Sequence, residues 1–254
     1  MKVQMIIFTL LTKIYGPFKQ KTYRQLSQYL SNISSDIEVD VKLKGLTERG
    51  WVQIEVSGED ELFFSRYLEK QFGKTPEKFE DLNVNSIISG RVINSGDFGF
   101  GIFVDIGITS PKMIDCLIPL YVLRKQLFGS KSIPVREVID KFCLHDFLPI
   151  EIKIVELDSK LFNVRAKLSD RQVTNYIRWL ETDLNRVIVL GAPYNQVITA
   201  LKNAKVSYNS VEVQSLGLLE QVITCMQGTD GPGIVSLIGK FLPRVPLHIF
   251  NRNG

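Results

Sequence analysis

The stretch from Gly90 to Leu120, GRVINSGDFGFGIFVDIGITSPKMIDCLIPL, constrains this chain more than any other. It holds three short extended runs: Ser89 to Ile93, Phe100 to Ile106 and Cys116 to Leu120. In the middle run Phe100, Ile102, Val104 and Ile106 alternate with Gly101, Phe103, Asp105 and Gly107, the period of a two-faced strand. One face is apolar and predicts burial. The other suits a flat group lying against Phe103. Glycines at 96, 99, 101 and 107 permit the tight turns and bending that a small barrel needs.

On these residues rests a resemblance. FGIFVDIG, preceded by GRVINSGDFG and followed by CLIPL, resembles the opening half of the RNA-binding OB barrel of the ribosomal protein S1 family. PIEIKIVELDSKLFNVRAKLS resembles that family's closing strand pair around a turn, here at Asp158, so the likeness spans residues 84–170. It implies that aromatic residues at Phe100 and Phe103, with Phe98 beside them, lie on a ligand-facing sheet and stack on bases. Such stacking is worth about 1–3 kcal/mol per base and tolerates any base. Strict alternation puts Phe100 and Phe103 on opposite faces unless a bulge intervenes near Gly101. Phe103 is therefore the stronger candidate, and Phe100 has core packing as its alternative. The histidine common after that family's third strand is replaced by Pro119, leaving Arg91, Lys112, Arg124 and Lys153 as the nearby cations for sugar-phosphate contacts.

Between the third and fourth barrel strands, Tyr121 to Phe147 concentrates Arg124, Lys125, Lys131, Arg136 and Lys141, with a proline-started helix expected at Pro134. This segment reads either as a phosphate-contacting rim or as a solvated connection.

The flanks give two further units. Residues 1–83 read as β-α-β-β-α, most of a split βαβ unit: an apolar strand, a helix from Thr22, a hairpin around Glu48-Arg49-Gly50, and a helix turning Leu62, Phe63, Tyr67, Leu68 and Phe72 inward. GKTPEKFEDL, 73–82, reads as a short linker or edge segment. Residues 171–254 bring a linking helix capped by Ser169, with Val173, Ile177, Leu180 and Leu184 as its apolar stripe, then the β-α-β-β-α-β order of a ferredoxin-like sandwich. The expected fold class is α+β multidomain: an N-terminal split-βαβ-like unit, a central S1-like OB β-barrel and a C-terminal ferredoxin-like α/β sandwich.

Charge bears on partners. Across 254 residues, 31 Lys and Arg against 27 Asp and Glu leave only +4. Basic and acidic residues number twelve and twelve in 1–83, eleven and ten in 84–170, eight and five beyond. RNA binding must therefore come from a local patch and stacking. Cys116, Cys143 and Cys225 are dispersed and odd in number, and His145 and His248 are the only histidines, so neither a disulfide framework nor a metal site is expected. GTDGPG at 228–233 lacks the Lys-Ser/Thr of a P-loop, and Asp230 as N-cap with Pro232 in the first turn accounts for it. Carboxylates are scattered and no nucleophile stands beside a base, so no catalytic residue and no cofactor are expected. The apolar opening is interrupted by Gln4, Thr9, Thr12 and Lys13, and reads as a first strand of a cytoplasmic protein without a membrane span.

Over its whole length the chain resembles a conserved archaeal family of unknown function. By domain order, parts are similar to the alpha subunit of translation initiation factor two and to the stalk subunit of archaeal RNA polymerase. These resemblances imply a non-enzymatic RNA-binding factor of the ribosome or RNA polymerase, with single-stranded or structured RNA on the barrel. The alternative is a protein-interaction adaptor whose barrel docks a protein.

Overall fold

The computed structural model describes residues 5–129, 131–182 and 184–250. The N-terminal unit comprises β1 (Met5–Lys13), α1 (Lys19–Ser34), β2 (Val39–Leu46), β3 (Trp51–Gly58) and α2 (Glu61–Phe72). Its antiparallel sheet runs β1-β3-β2. Alternation in FTL and WVQIEV sends Phe8, Leu10, Val52, Ile54 and Val56 to one face, where Leu26, Leu30, Phe64 and Leu68 of the helices complete a core. Leu62 and Phe63, expected inward, are 57% and 65% exposed, while Phe64 and Leu68 take the inner face. A run of adjacent apolar residues leaves a helix two faces to choose from, and the sheet's contact with Phe64 decides between them.

The central barrel is closed in the order β4-β5-β6-β8-β7, from β4 (Ile87–Ile93), β5 (Gly101–Ile108), β6 (Ile114–Pro119), β7 (Pro149–Asp158) and β8 (Asn163–Leu168). All its pairings are antiparallel except β6 with β8. Ile102, Val104, Ile106, Cys116, Ile118, Ile152, Ile154, Val164 and Ala166 fill its interior. At Gly90 a Cβ would meet Val104 at 2.5 Å, so only glycine lets β4 close on β5 there. Two helices, α3 (Leu120–Phe128) and α4 (Val135–Phe142), occupy the connection before β7. Only the second was anticipated.

Helix α5 (Asp170–Glu181) follows, with Ser169 Oγ accepting from Gln172 N at 3.0 Å. Its buried residue is Tyr176, and Ile177 of the expected stripe is 47% exposed. The reason is an aromatic cluster: Tyr176 meets Phe142 at 5.1 Å between ring centroids, and Trp179 meets Phe250 at 5.2 Å. The last unit, β9 (Arg186–Leu190), α6 (Tyr194–Asn203), β10 (Val211–Ser215), β11 (Glu220–Cys225), α7 (Gly231–Ile238) and β12 (Leu247–Phe250), has sheet order β10-β11-β9-β12. That is the order of a β-α-β-β-α-β sandwich.

RVIVL in β9 does not alternate, because both of its faces are covered. Val187 and Val189 pack with α6 and α7, while Ile188 and Leu190 join the barrel's core cluster. The C-terminal sheet is thus continuous in packing with the barrel. Among the described residues no helix is long and apolar enough to cross a membrane.

Candidate nucleic-acid interface

Strand β5 begins at Gly101, so Phe100 lies in the turn ahead of it and escapes the alternation. Its carbonyl accepts from Leu120 N at 2.8 Å, while its ring swings to the side of Phe103. Ring centroids are 5.9 Å apart for Phe100 and Phe103, 5.1 Å for Phe98 and Phe103, and 5.6 Å for Phe98 and Phe100. No bulge is needed: the only register shift between β5 and β6 lies beyond Asp105. Nor is Phe100 a core residue, being 55% exposed. The three phenylalanines form one patch on the barrel's outer surface, and Gly101 allows it. A Cβ there would sit 2.4 Å from Ile118 O.

Register carries the patch across the barrel. Phe103 pairs with Ile93 on one side and Leu117 on the other, and Leu117 pairs with Arg165. Beyond Arg165 on the same face of β8 is Lys167, which pairs with Lys153 of β7. Arg165 and Lys167 are outward by the alternation of NVRAKL, but nothing in the sequence puts β8 beside β6.

The other expected cations have divergent fates. Lys125 is exposed on α3. Lys112 is exposed, with Nζ 5.4 Å from the Phe162 ring. Arg124 is half-buried, and its Nε donates to Ile133 O at 2.7 Å, tying α3 to the segment before α4. Arg91 must be withdrawn from the interface. Its side chain is 4% exposed and faces Glu220 of β11, Nη2 to Oε2 at 3.6 Å.

Beside Phe103 runs a groove lined by Asp115, Leu117, Glu156, Asp158, Leu161 and Arg165. Its three carboxylates are all partnered. Arg49 grips Asp115 with both terminal nitrogens, Arg165 bonds Glu156 at 3.1 Å, and Asp158 Oδ1 accepts from Lys160 N and Leu161 N at 2.9 and 3.1 Å. The patch therefore has a flank where carboxylates and Arg165 lie together, while Lys153 and Lys167 pair in register farther along β7 and β8.

The N-terminal unit covers the adjoining row of the barrel face. Asp105, paired in register with Arg91 and Asp115, is 1% exposed. It accepts from Lys13 Nζ at 2.5 Å, Trp51 Nε1 at 3.0 Å and Gly107 N at 2.9 Å. Burial lowers the pKa of the Lys13 amine, and Asp105 partly restores it. The Asp115 hydrogen bonds raise that of Arg49. Tyr15 OH donates to Glu220 Oε1 at 2.8 Å, and its ring stacks on Phe147 at 3.9 Å. Burial raises the Glu220 carboxyl, against the pull of Arg91. Three units meet in this charged junction. Sequence reasoning missed it, because its members lie as far apart as residues 13 and 220; the Asp on the Phe103 face of FVDIG was the one signal of an unusual environment.

Among solved structures, the uncharacterised protein MJ1198 from Methanocaldococcus jannaschii is 10% identical at a TM-score of 0.24, covering 35% of this chain and 95% of that one. GSP13 from Bacillus subtilis is 14% identical at 0.23, covering 36% and 58%. A chain of the a/eIF2alpha-aDim2p-rRNA complex from Pyrococcus horikoshii OT3 is 9% identical at 0.27, covering 50% and 66%. At such scores these likenesses carry no weight for function. No curated protein matches the chain. Residues 7–78 match the DUF2110 N-terminal domain, 82–180 the DUF2110 central domain and 184–249 the DUF2110 C-terminal domain. With all three domains present in order, the chain belongs to the DUF2110 family, a family of unknown function.

Proposed function

We propose that this protein is a non-enzymatic, cytoplasmic RNA-binding factor acting beside the translation or transcription machinery. In this reading its S1-like barrel holds unpaired bases on Phe98, Phe100 and Phe103. The observation that carries the reading is the patch itself: three phenylalanines in mutual contact on the outer face, with Phe98 38% and Phe100 55% exposed. Bases stack on such rings whatever their identity. Lys125, Lys153, Arg165 and Lys167 supply phosphate contacts, with Lys112 on a neighbouring loop. Few cations and nearby carboxylates make for modest affinity with a shallow salt dependence.

Anisotropy titration of labelled RNA oligomers tests it. Each Phe→Ala change at 98, 100 and 103 is expected to weaken binding by about 5- to 150-fold, the equivalent of one stacked base. Absence of RNA binding, or phenylalanine variants indistinguishable from wild type, sinks the reading.

The groove favours a second reading. Asp158 beside Phe103 is held only by backbone N–H groups and suits a protein partner bearing Lys or Arg next to an apolar residue. Pull-down after nuclease treatment separates the two, since a partner that survives RNA removal favours the adaptor.

A further inference from the structure

A second concave site lies away from the phenylalanine patch and shares no residue with it. It is a cleft of about 450 Å³ between the N-terminal and C-terminal units, in the size range of small-ligand sites. One wall is a single face of α1, where Thr22 and Leu26, and Gln25 and Tyr29, each stand four residues apart. Gln71 and Phe72 close it from the end of α2, and Tyr194 and Asn195 from the start of α6.

Its chemistry is selective. Tyr29, Phe72 and Tyr194 bring aromatic rings. Gln25, Gln71 and Asn195 bring carboxamides, each offering both a donor and an acceptor. No charged residue lines the cleft among the described residues. Thr22, 2% exposed, also lines it, and its hydroxyl has no hydrogen-bond partner among the described residues. No side chain caps α6; Gln196 N and Val197 N donate to Pro193 O at 2.9 and 3.3 Å, which leaves the N–H groups of Tyr194 and Asn195 as donors at the rim.

The cleft is also held in shape. Buried Gln221 donates to Ala192 O at 3.4 Å and Gly217 O at 3.3 Å, and Ser215 Oγ bonds Gln221 Oε1 at 2.6 Å. These bonds fix the entry to α6 against the turn between β10 and β11. From that turn Leu218 packs onto the N-terminal core, so the floor is continuous across the two units.

An uncharged, planar group with alternating donors and acceptors on its edge fits this set: rings stack on it and carboxamides read its edge. We propose that the cleft binds an unpaired nucleobase, stacked on Tyr194 and read by Gln71 and Asn195. Sugar and any phosphate remain toward solvent, where the absence of cations costs nothing. The base can come from a free nucleoside or from the end of an RNA strand. The proposal does not rest on RNA binding at the phenylalanine patch.

Isothermal titration of the full chain with adenosine, guanosine, cytidine and uridine, and with short single-stranded RNAs, tests it. At least one nucleoside is expected to bind at millimolar concentration or below, and Tyr194→Ala to weaken it tenfold or more. Gln71→Ala should change the preference among bases, and Phe103→Ala should leave nucleoside binding unaltered. Binding only to RNA, abolished by Tyr194→Ala but not by Phe103→Ala, supports the site and identifies a strand end as the source. Tyr194 is 43% exposed in a first helical turn, so its loss does not threaten the fold. Failure of every nucleoside and RNA to bind, or binding indifferent to both Tyr194→Ala and Gln71→Ala, overturns the proposal. Loss of RNA binding in Phe103→Ala with nucleoside binding intact touches only the patch.

Discussion

Lys13 Nζ lies 2.5 Å from Asp105 Oδ2, joining β1 of the N-terminal sheet to β5 of the barrel, with both side chains at most 2% exposed. Breaking a buried pair from one side costs about 3–5 kcal/mol, because the other charge is stranded. The two sides are not equal here. Asp105→Ala orphans Lys13, Trp51 Nε1 and Gly107 N together, whereas Lys13→Met leaves Asp105 with Trp51, Gly107 and Arg49, whose Nη1 is 3.7 Å away. Urea unfolding should show the larger loss for Asp105→Ala. Equal losses would mean that the Lys13 pairing alone holds the junction.

Arg91 and Lys125 should separate stability from RNA affinity. Arg91 packs its guanidinium 5.7 Å from the Trp51 ring centroid and faces Glu220, so Arg91→Met should lower stability by about 3 kcal/mol through the stranded carboxylate. The slope of log affinity against log salt should be unchanged in that variant. Lys125→Ala should do the reverse, leaving the unfolding midpoint in place and reducing the slope by about one phosphate's worth. A shallower slope in Arg91→Met would return that residue to the interface.

The rings of His145 and His248 stack at 3.7 Å and 16°, between the barrel's α4 exit and β12. Burial lowers both, and proximity to His145 helps bring His248 to about 4; Asp140 opposes this for both, and Asp146 for His145. The folded state thus resists a proton that the unfolded chain takes up near pH 6.5. Stability is full above that pH and falls as pH drops from about 6.5 toward 4. Allowing for partial exposure, the loss is on the order of 1 kcal/mol. Denaturation at pH 7 and pH 5 measures it, and His248→Phe, which keeps a stackable ring without a titrating group, should flatten the difference.

What the sequence made legible was what neighbours in the chain decide. Ser169 and Asp230 cap their helices as expected, Asp230 Oδ1 accepting from Gly233 N at 2.6 Å, since a cap needs only the next three residues. The alternation of Ile102, Val104 and Ile106 gave the barrel's inner face for the same reason. Alternation was misleading at Phe100 because it assumed a strand already begun one residue early. Faces of α2 and α5 were misjudged where two apolar stripes compete; the choice belongs to the N-terminal sheet for α2 and to Phe142 and Phe250, distant in sequence, for α5. Arg91 looked like a surface charge because Glu220 lies in another unit. The aromatic and carboxamide cleft was invisible for that reason too: its N-terminal walls lie more than a hundred residues from its C-terminal one, and each alone is an ordinary helix face.

Cysteine reactivity should report opening of the three units. Cys116, Cys143 and Cys225 are free and at most 1% exposed. Burial raises all three thiols, Cys143 to about 12 and Cys225 to about 11. Since the thiolate is the nucleophile, a folded molecule at pH 8 presents almost none, and labelling must wait for local unfolding. Native protein should therefore react with a thiol reagent far more slowly than urea-unfolded protein. Cys116 pairs in register with Val104, beside the Asp105 and Asp115 pair that the N-terminal unit covers. Asp105→Ala should accelerate labelling at Cys116, read in a variant with the other two cysteines replaced by alanine. Cys225, at the far end of β11 from Glu220 and packed among α6 and α7 core residues, should keep its rate. Equal acceleration at both would mean that the junction opens together with the C-terminal unit.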